Sequence, residues 1–216
     1  DKIVFIVDHE LPAVSPNAGA KYQEMVTFAK QQAITQFYYG EGICHHIMPE
    51  QGHVKPGCII IGTDSHTVTY GALDTFSTGI GSKEMADIWA TGKIWLKVPG
   101  TIKFILDGKL KKGVYSKDLI LYILGMMKAD GCVYSAVEFS GNTIHDLSMD
   151  ARFTMTNMVV EMGAKNGIIP FDNVTRSFLN EKNIVDYEIV ENDPDAGYAQ
   201  VHHIDASAIT PQLVTD

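Results

Sequence analysis

Cys58-Ile59-Ile60-Ile61-Gly62-Thr63-Asp64-Ser65-His66 is the stretch whose reading decides the fold. A short unbroken apolar run, rich in β-branched residues and ended by a polar turn, reads as a strand buried on both faces. The same design occurs upstream, where the apolar run Ile3 to Val7 is closed by Asp8-His9. Between them, Tyr22, Met25, Val26 and Ala29 recur at helical spacing and predict a helix over Ala18 to Gln32. Ile34 to Tyr39 predicts a further strand. Gly40 and Gly42 then break the chain, and a loop follows with Pro49, Gly52, Pro56 and Gly57.

Downstream, Gly71 to Gly81 is small and glycine-punctuated, and Ser82 is placed to cap a helix running to about Thr91. Ile102 to Leu106 predicts a strand, and Ser116 is placed to cap a helix with Leu119, Ile120, Ile123, Leu124 and Met127 on its apolar face. Ala136 to Phe139 predicts a strand, and Phe153 to Ala164 a helix with Met155, Met158, Val159 and Met162 inward. Tyr187 to Val190 and Gln200 to Ile204 predict two strands joined by an Asp193-Pro194-Asp195 turn. Strands and helices that alternate in this way predict an α/β class with a mainly parallel sheet. Pro99-Gly100 is the natural internal boundary. It separates a first α/β domain over 1–99 from a second over 100–190, with 191–216 as a connecting segment.

Composition narrows the functions. The 216 residues are 45% hydrophobic and 20% charged, enough for a packed core and unlike a disordered chain. Lys+Arg 17 against Asp+Glu 26 gives a net charge of −9, which opposes binding to phosphate backbones or an anionic membrane. No apolar stretch approaches a membrane span. Cys44, Cys58 and Cys132 form no CxxC pair, and an odd, scattered set fits a reducing cytoplasm without a disulfide framework. The chain opens at Asp1 without Met and stops at Asp216, which reads as part of a longer protein.

Chemistry concentrates where apolar runs end. Asp8-His9, His45-His46 after Gly42-Ile43-Cys44, and Asp64-Ser65-His66 all lie at strand ends or in the loops beyond. Ligands of open α/β sheets collect beyond the carboxyl ends of the strands, so these side chains are expected to face one cleft. A carboxylate beside an imidazole orients the ring and favours its protonated form, which makes a proton donor usable near neutral pH. One Asp-His after a strand is ordinarily a turn or a cap; two such strand exits plus a third histidine make coincidence harder. His46 and His53, in the Pro/Gly-rich loop, read as solvated, and His145, His202 and His203 as structural or surface groups. Asn157 and Glu161, four apart, share a helical face. Glu161 is either a solvated group or an acid that holds one of the histidines.

Other chemistries find less support. The first strand is not followed by GxGxxG, and the chain lacks GxxxxGK[ST], GxSxG and HExxH. Gly79-Ile80-Gly81-Ser82 before a helix suits either an anion cradle or tight packing. A metal site of His9, His45, His66, Asp8 and Asp64 is open in principle, though no ligand spacing requires it.

These residues carry a resemblance. VDHELP, GEGICHHIMPEQGHVKPG, IIIGTDSHTVTYGAL, GIGSKEMADIWATGKIWLKVP, GVYSKDLILYILG and MTNMVVEMGAKNGIIPFD occur in the order found in the aconitase superfamily. The likeness is greatest to the large subunits of the 3-isopropylmalate dehydratase and homoaconitase branch, and it weakens from about Glu181. It implies a three-layer α/β/α fold, with parts of two consecutive α/β domains present. It also implies a hydro-lyase that isomerises a hydroxy di- or tricarboxylic acid through an alkene, in leucine biosynthesis or a related route. The family's cofactor is a [4Fe–4S] cluster with one iron not held by protein, which acts as a Lewis acid.

By position, Asp8 and His9 resemble the pair that protonates the departing hydroxyl, and His45 with Asp64 a second pair. His66 with Glu161 resembles a third. Ser65 resembles a substrate-carboxylate contact and Asn157 an asparagine lying against cluster and substrate. The family's three cluster cysteines, one in an IGSCTN-like block and two in a CxxC, have no counterpart here and are expected beyond residue 216. The proton-abstracting serine and the carboxylate-binding arginines belong, by the same resemblance, to a small-subunit partner. Thr156 stands where many relatives carry Cys, and His46 where Gln is common. The expectation for this chain alone is neither a bound cluster nor isomerase activity. Rival readings are a non-catalytic carboxylate-binding relic and a His/Asp metallohydrolase. The choice among isopropylmalate, homoaconitate, citrate and dimethylmalate is not written in these residues.

Overall fold

A computed structural model describes residues 2–214, and the chain forms two compact units, Asp1–His53 and Val54–Asp216. The first unit runs β1 (Val4–Val7), α1 (Pro16–Gln31), β2 (Gln36–Tyr39) and α2 (Cys44–Glu50), and β1 pairs parallel to β2 with Val4 opposite Gln36. Ser15 caps α1 by accepting from Ala18 N–H, and Pro16 occupies the first turn, where its missing N–H costs nothing. The helix therefore starts two residues before the predicted Ala18. Val7, Ala18 and Tyr22 form a small core, with Leu11, Met25 and Phe37 packed around it.

Where the sequence predicts a loop after Gly42, the chain instead makes α2, with Pro49 inside its last turn. Proline is tolerated near the end of so short a helix, because few intrahelical bonds remain for it to break.

In the second unit β3 (Ile59–Gly62) pairs parallel to β4 (Phe76–Gly79). Between them a 3₁₀ helix spans Ser65–Leu73. After α3 (Ser82–Thr91), the strands β5 (Thr101–Asp107), β6 (Ala136–Ser140), β7 (Asn166–Ile168) and β8 (Gln200–Asp205) form one parallel sheet in the order β7-β6-β5-β8. The helices are α4 (Ser116–Met127), α5 (Asn142–His145), α6 (Met149–Asn157) and α7 (Asn173–Glu181), and a 3₁₀ turn Met158–Met162 extends α6. The predicted α/β class with parallel pairing is what forms.

Ile102, Phe104 and Leu106 of β5 and Val137 and Phe139 of β6 face the main core, with Leu119, Ile120 and Ile123 of α4 and Met155 of α6. Alternation along the strands turns Lys103 and Glu138 to the other face. They pair there at 2.8 Å, beside Tyr198 and Asn192.

Several expectations change. Ser82 and Ser116 are the first helical residues rather than caps: Gly81 and Tyr115 hold the cap positions, and Asp118 accepts from Tyr115 N–H at 2.8 Å. The helix expected over Phe153 to Ala164 begins at Met149 and tightens to 3₁₀ after Asn157. Tyr187 to Val190 pairs with no strand among the described residues, while Asp193 still opens a turn closed by Ala196 N–H at 3.0 Å. The strand predicted over Gln200 to Ile204 does form, as Gln200–Asp205, and it pairs with β5 at the edge of the sheet. The compact units divide at His53/Val54, well before Pro99-Gly100.

The glycine-punctuated stretch conceals β4 and a close approach. A Cβ on Gly71 would lie 1.6 Å from the Gly167 carbonyl oxygen, so the 3₁₀ helix meets β7 backbone to backbone. Gly71 O accepts from Ile169 N–H at 3.0 Å. Buried Asn166 completes the seam: its amide oxygen accepts from Ser77 N–H and its nitrogen donates to Thr75 O. At α6, fully buried Arg152 forks onto Asp172 at 2.7 and 2.5 Å. It also donates to the carbonyls of Leu147 and Ile144, which satisfies a cation inside the fold.

Candidate functional site

In the first unit the site begins where β1 ends. His9 Nδ1 lies 2.6 Å from Asp8 Oδ1, with the ring 74% exposed and the Asp8 side chain 8% exposed. The second Asp8 oxygen accepts from Cys44 N–H at 2.7 Å, at the first turn of α2. Burial pushes the Asp8 carboxyl up, but the Cys44 amide and His9 outweigh it and hold it below the ordinary carboxylate range. An ionised Asp8 therefore takes Nδ1–H, and Nε2 is the His9 nitrogen that changes protonation. Buried Tyr22 donates to the His9 carbonyl at 2.5 Å and lies 3.1 Å from the Glu10 carbonyl, which pins the turn carrying the ring.

His45 stands on α2 beside Cys44, with Nδ1 3.7 Å from the sulfur. His46, next in the chain, is exposed and lies 3.8 Å from Glu50 one turn on. His53, read from sequence as solvated, is half-buried and bonded through both nitrogens: Nδ1 to Lys2 Nζ and Nε2 to Tyr38 Oη, each at 2.7 Å. Burial and then the Lys2 charge lower its pKa to about 4. His53 is thus a neutral structural link, with Nδ1 accepting from the ammonium and Nε2–H donating to Tyr38.

In the second unit Asp64, Ser65 and His66 occupy the turn from β3 into the 3₁₀ helix. Asp64 Oδ1 accepts from His66 N–H at 2.7 Å, so this carboxylate is a helix cap and lies 3.9 Å from the His66 ring. A Cβ on Gly79 would come within 2.6 Å of Asp64 O, so only glycine lets β4 pass this turn. The ring pairs elsewhere: His66 Nε2 lies 3.1 Å from Glu161 Oε1 across 95 residues of chain, and Nδ1 lies 3.1 Å from Ser65 Oγ. Glu161, in the 3₁₀ turn after α6, is both exposed and paired, so the two readings left open for it describe one arrangement. Asn157 ends α6 and donates to Thr69 Oγ1 at 2.8 Å.

The structure thus joins Asp8 with His9, and His66 with Ser65 and Glu161. His45 belongs to the first unit and Asp64 to the second. Of the remaining histidines, His145 bonds Asp172 at 3.2 Å, His202 stacks on Phe104 at 5.1 Å, and His203 is exposed.

Sequence reasoning missed Cys44 N–H, Tyr22, Thr69 and Thr156. The first is a backbone group, Tyr22 reads as part of an apolar helix face, and neither threonine stands beside an acid or a histidine in the sequence. Tyr22 left one trace, a polar tip on the apolar stripe of α1.

The thiols do not suit a metal cluster. Cys132 is fully buried in the main core and burial raises its pKa to about 11, whereas a ligand must be a thiolate. Cys44 and Cys58 are half-buried, and no group of three His, Cys, Asp or Glu side chains able to hold a metal occurs among the described residues. Among the described residues no helix is long and apolar enough to cross a membrane.

The molecule is thus a parallel α/β protein with an imidazole held by a carboxylate just beyond β1 and another just beyond β3. The chain belongs to the aconitase family: the family model described as aconitate hydratase matches residues 7–216. It is 47% identical over 215 residues to the probable 3-isopropylmalate dehydratase large subunit of Methanosarcina mazei, covering 98% of this chain and 51% of that protein. It is also 47% identical over 215 residues to the 3-isopropylmalate dehydratase large subunit of Syntrophus aciditrophicus, covering 99% and 51%. A probable methanogen homoaconitase large subunit, again from Methanosarcina mazei, is 45% identical over 213 residues, covering 98% and 54%. The chain spans about half the length of the curated relatives it matches.

Proposed function

We propose that the whole protein is the large subunit of a hydro-lyase that dehydrates and rehydrates a hydroxy acid, acting as 3-isopropylmalate dehydratase in leucine biosynthesis. The observation that carries this is the pairing of His9 with Asp8 and of His66 with Glu161 in a chain 47% identical over 215 residues to large subunits of that name. Homoaconitase is the second reading, favoured by the 45% identity to a homoaconitase large subunit.

Expelling hydroxide from an unactivated carbon requires a proton on the leaving oxygen, and an imidazolium held by a carboxylate supplies it. His9, oriented by Asp8, is assigned that step, and His45 and Asp64 are each assigned to the departing water. His66, between Ser65 and Glu161, is the third. Its Nε2–H stays on Glu161, so Nδ1 is the atom where a proton moves, with Ser65 Oγ as neighbour. In neutral His66 the Ser65 hydroxyl donates to Nδ1; in the protonated ring it accepts. Ser65 and Asn157 are assigned to substrate binding.

The [4Fe–4S] cluster belongs to the proposal for the whole protein, with ligands outside this chain because the thiols here do not fit it. A small subunit follows from the relatives' names, which say "large subunit". The proposed setting is the cytoplasm. The test is hydration of isopropylmaleate, cis-homoaconitate and cis-aconitate by the assembled two-subunit protein. Fastest turnover of isopropylmaleate is expected; preference for cis-homoaconitate selects the second reading, and turnover of none removes both.

A further inference from the structure

We propose that Thr69 is a positioning residue: its hydroxyl fixes which end of the Asn157 amide a ligand meets, and locks the main chain of His66. The proposal rests on the reading of Asn157 and His66 as site residues. Thr69 is 3% exposed in the 3₁₀ helix after the Asp64-Ser65-His66 turn. Its Oγ1 lies 2.6 Å from His66 O and 2.8 Å from Asn157 Nδ2.

A hydroxyl has one proton. A carbonyl oxygen only accepts, so that proton is committed to His66 O. Toward Asn157 the hydroxyl has only lone pairs left, and the group facing it must be the NH₂ end. With the amide turned over, two acceptors would compete for one proton, so one of these two hydrogen bonds would be lost. The orientation of Asn157 is therefore a consequence of the hydroxyl, and Oδ1 is the atom turned away from Thr69.

The backbone of Thr69 is itself tied down. Fully buried Thr156 donates through Oγ1 to Thr69 O at 2.7 Å, one residue before Asn157. The turn and α6 are thus joined twice, by Thr69 reaching Asn157 and by Thr156 reaching Thr69. His66 lies in this turn and Glu161 in the 3₁₀ turn that continues α6, so this clamp bears on the separation across which they meet.

The chemical consequence is selective. Toward a hydroxy acid at neutral pH, an acceptor such as Asn157 Oδ1 is complementary to the hydroxyl, the one donor the substrate has, and not to its carboxylates. Thr69 thereby makes Asn157 a reader of the hydroxyl.

The test compares Thr69→Ser, which keeps the hydroxyl, with Thr69→Val, which keeps the shape and removes it. In this chain, hydrogen exchange of the Asn157 side-chain NH₂ by NMR is expected to be slowed relative to exposed Asn180 in wild type and in Thr69→Ser, and to lose that protection in Thr69→Val. In the assembled two-subunit protein, Thr69→Val is expected to lower kcat/KM by roughly 10–100-fold, with Thr69→Ser within about threefold of wild type. The preference for a hydroxy acid over the same dicarboxylate lacking the hydroxyl should collapse in Thr69→Val alone, an effect that general loosening would not produce. An unprotected Asn157 NH₂ in wild type overturns the proposal, as does Thr69→Ser falling as far as Thr69→Val while both retain the wild-type melting temperature. If the assembled wild-type protein turns over none of the hydroxy acids, the functional reading fails, and the exchange measurement still decides the role of Thr69.

Discussion

The two units build a carboxylate–imidazole pair by opposite routes. In Asp1–His53 the partners are neighbours in sequence, Asp8 and His9, and the fold's contribution is to supply Cys44 N–H and Tyr22 around them. In Val54–Asp216 the partners His66 and Glu161 come from opposite ends of a long stretch, and nothing brings them within 3.1 Å except the packing of one 3₁₀ helix against α6 and the turn that follows it. A local pair survives loosening of its surroundings. A long-range pair is only as precise as the core beneath it. The first unit accordingly has the smaller core, around Val7, Ala18 and Tyr22. The second rests on the extended cluster through Phe104, Leu119, Phe139 and Met155, pinned by Arg152 and Asn166.

The comparison breaks most sharply at Asp172. Asp172→Ala leaves the Arg152 guanidinium buried without its counter-ion and is expected to cost about 3–5 kcal/mol, because an unpaired buried charge has lost its water and gained nothing. Hydrogen exchange resolved along the chain should show protection falling in Val54–Asp216 while Asp1–His53 keeps its own. A uniform loss would show that the units do not differ. Burial acts against ionised Asp172, but the Arg152 fork and the Thr175 N–H hold its pKa well below the ordinary value. A carboxylate depressed in the fold contributes stability above its unfolded pKa and loses it as pH falls through the folded one. Urea midpoints should therefore drop in strongly acidic solution in wild type and lose that component in the variant.

Next come the pairs themselves. In the assembled protein, Asp8→Asn and Glu161→Gln are each expected to lower kcat by roughly 10²–10⁴-fold under the proposed roles, the range that general acid–base assistance contributes. The comparison predicts how each responds to the scaffold. Gly71→Ala, which drives a methyl into the Gly167 carbonyl, should mimic Glu161→Gln in activity and destabilise the second unit by about 1–3 kcal/mol. A Gly71→Ala protein with full activity would show that the His66–Glu161 distance does not depend on that approach.

Asp74 offers an effect of opposite sign. It sits in left-handed backbone with φ 57, and its Oδ2 has no hydrogen-bond partner. Burial raises its pKa to about 6, with the Phe171 N–H opposing and the Glu138 charge adding. A carboxyl raised in the fold is least costly when protonated. Its contribution to stability is complete below the unfolded value near 4 and is lost as pH rises through about 6. Asp74→Asn, which tolerates the same backbone, should therefore gain about 1–2 kcal/mol at pH 7 after allowance for screening, and nothing at pH 3. Melting temperatures at the two pH values check it. The smallest effect is expected in the first unit. Tyr22→Phe removes one donor from the His9 turn at about 0.5–1.5 kcal/mol, and the melting temperature should move by a few degrees.

How much of this was legible in the chain depends on the range of the interactions. β1, β3, β5 and β6 and the helices α1, α3 and α4 follow from apolar runs and 3.6-residue spacing, which one segment carries by itself. β4 and α2 do not: β4 is a short run of small residues made a strand by pairing with β3, and α2 is a helix built across histidines and a proline. Tyr187 to Val190 errs the other way, with an apolar look but no strand beside it to pair with among the described residues. His53 looked like a loop histidine because Lys2 and Tyr38, which define its state, lie far away in sequence.

The sequence by itself determined the alternating α/β class, the placement of Asp8-His9 and Asp64-Ser65-His66 at strand ends, and a cysteine set without ligand spacing. These are properties of residue order and local periodicity, and no distant partner alters them. Tertiary structure alone decided that Asp64 caps its own helix while Glu161 takes the His66 ring, that Thr69 turns the Asn157 amide, and that Arg152 is a buried pin. Apart from the local Asp64 cap, each depends on which donor meets which acceptor across tens of residues, a choice made only when packing brings those segments together.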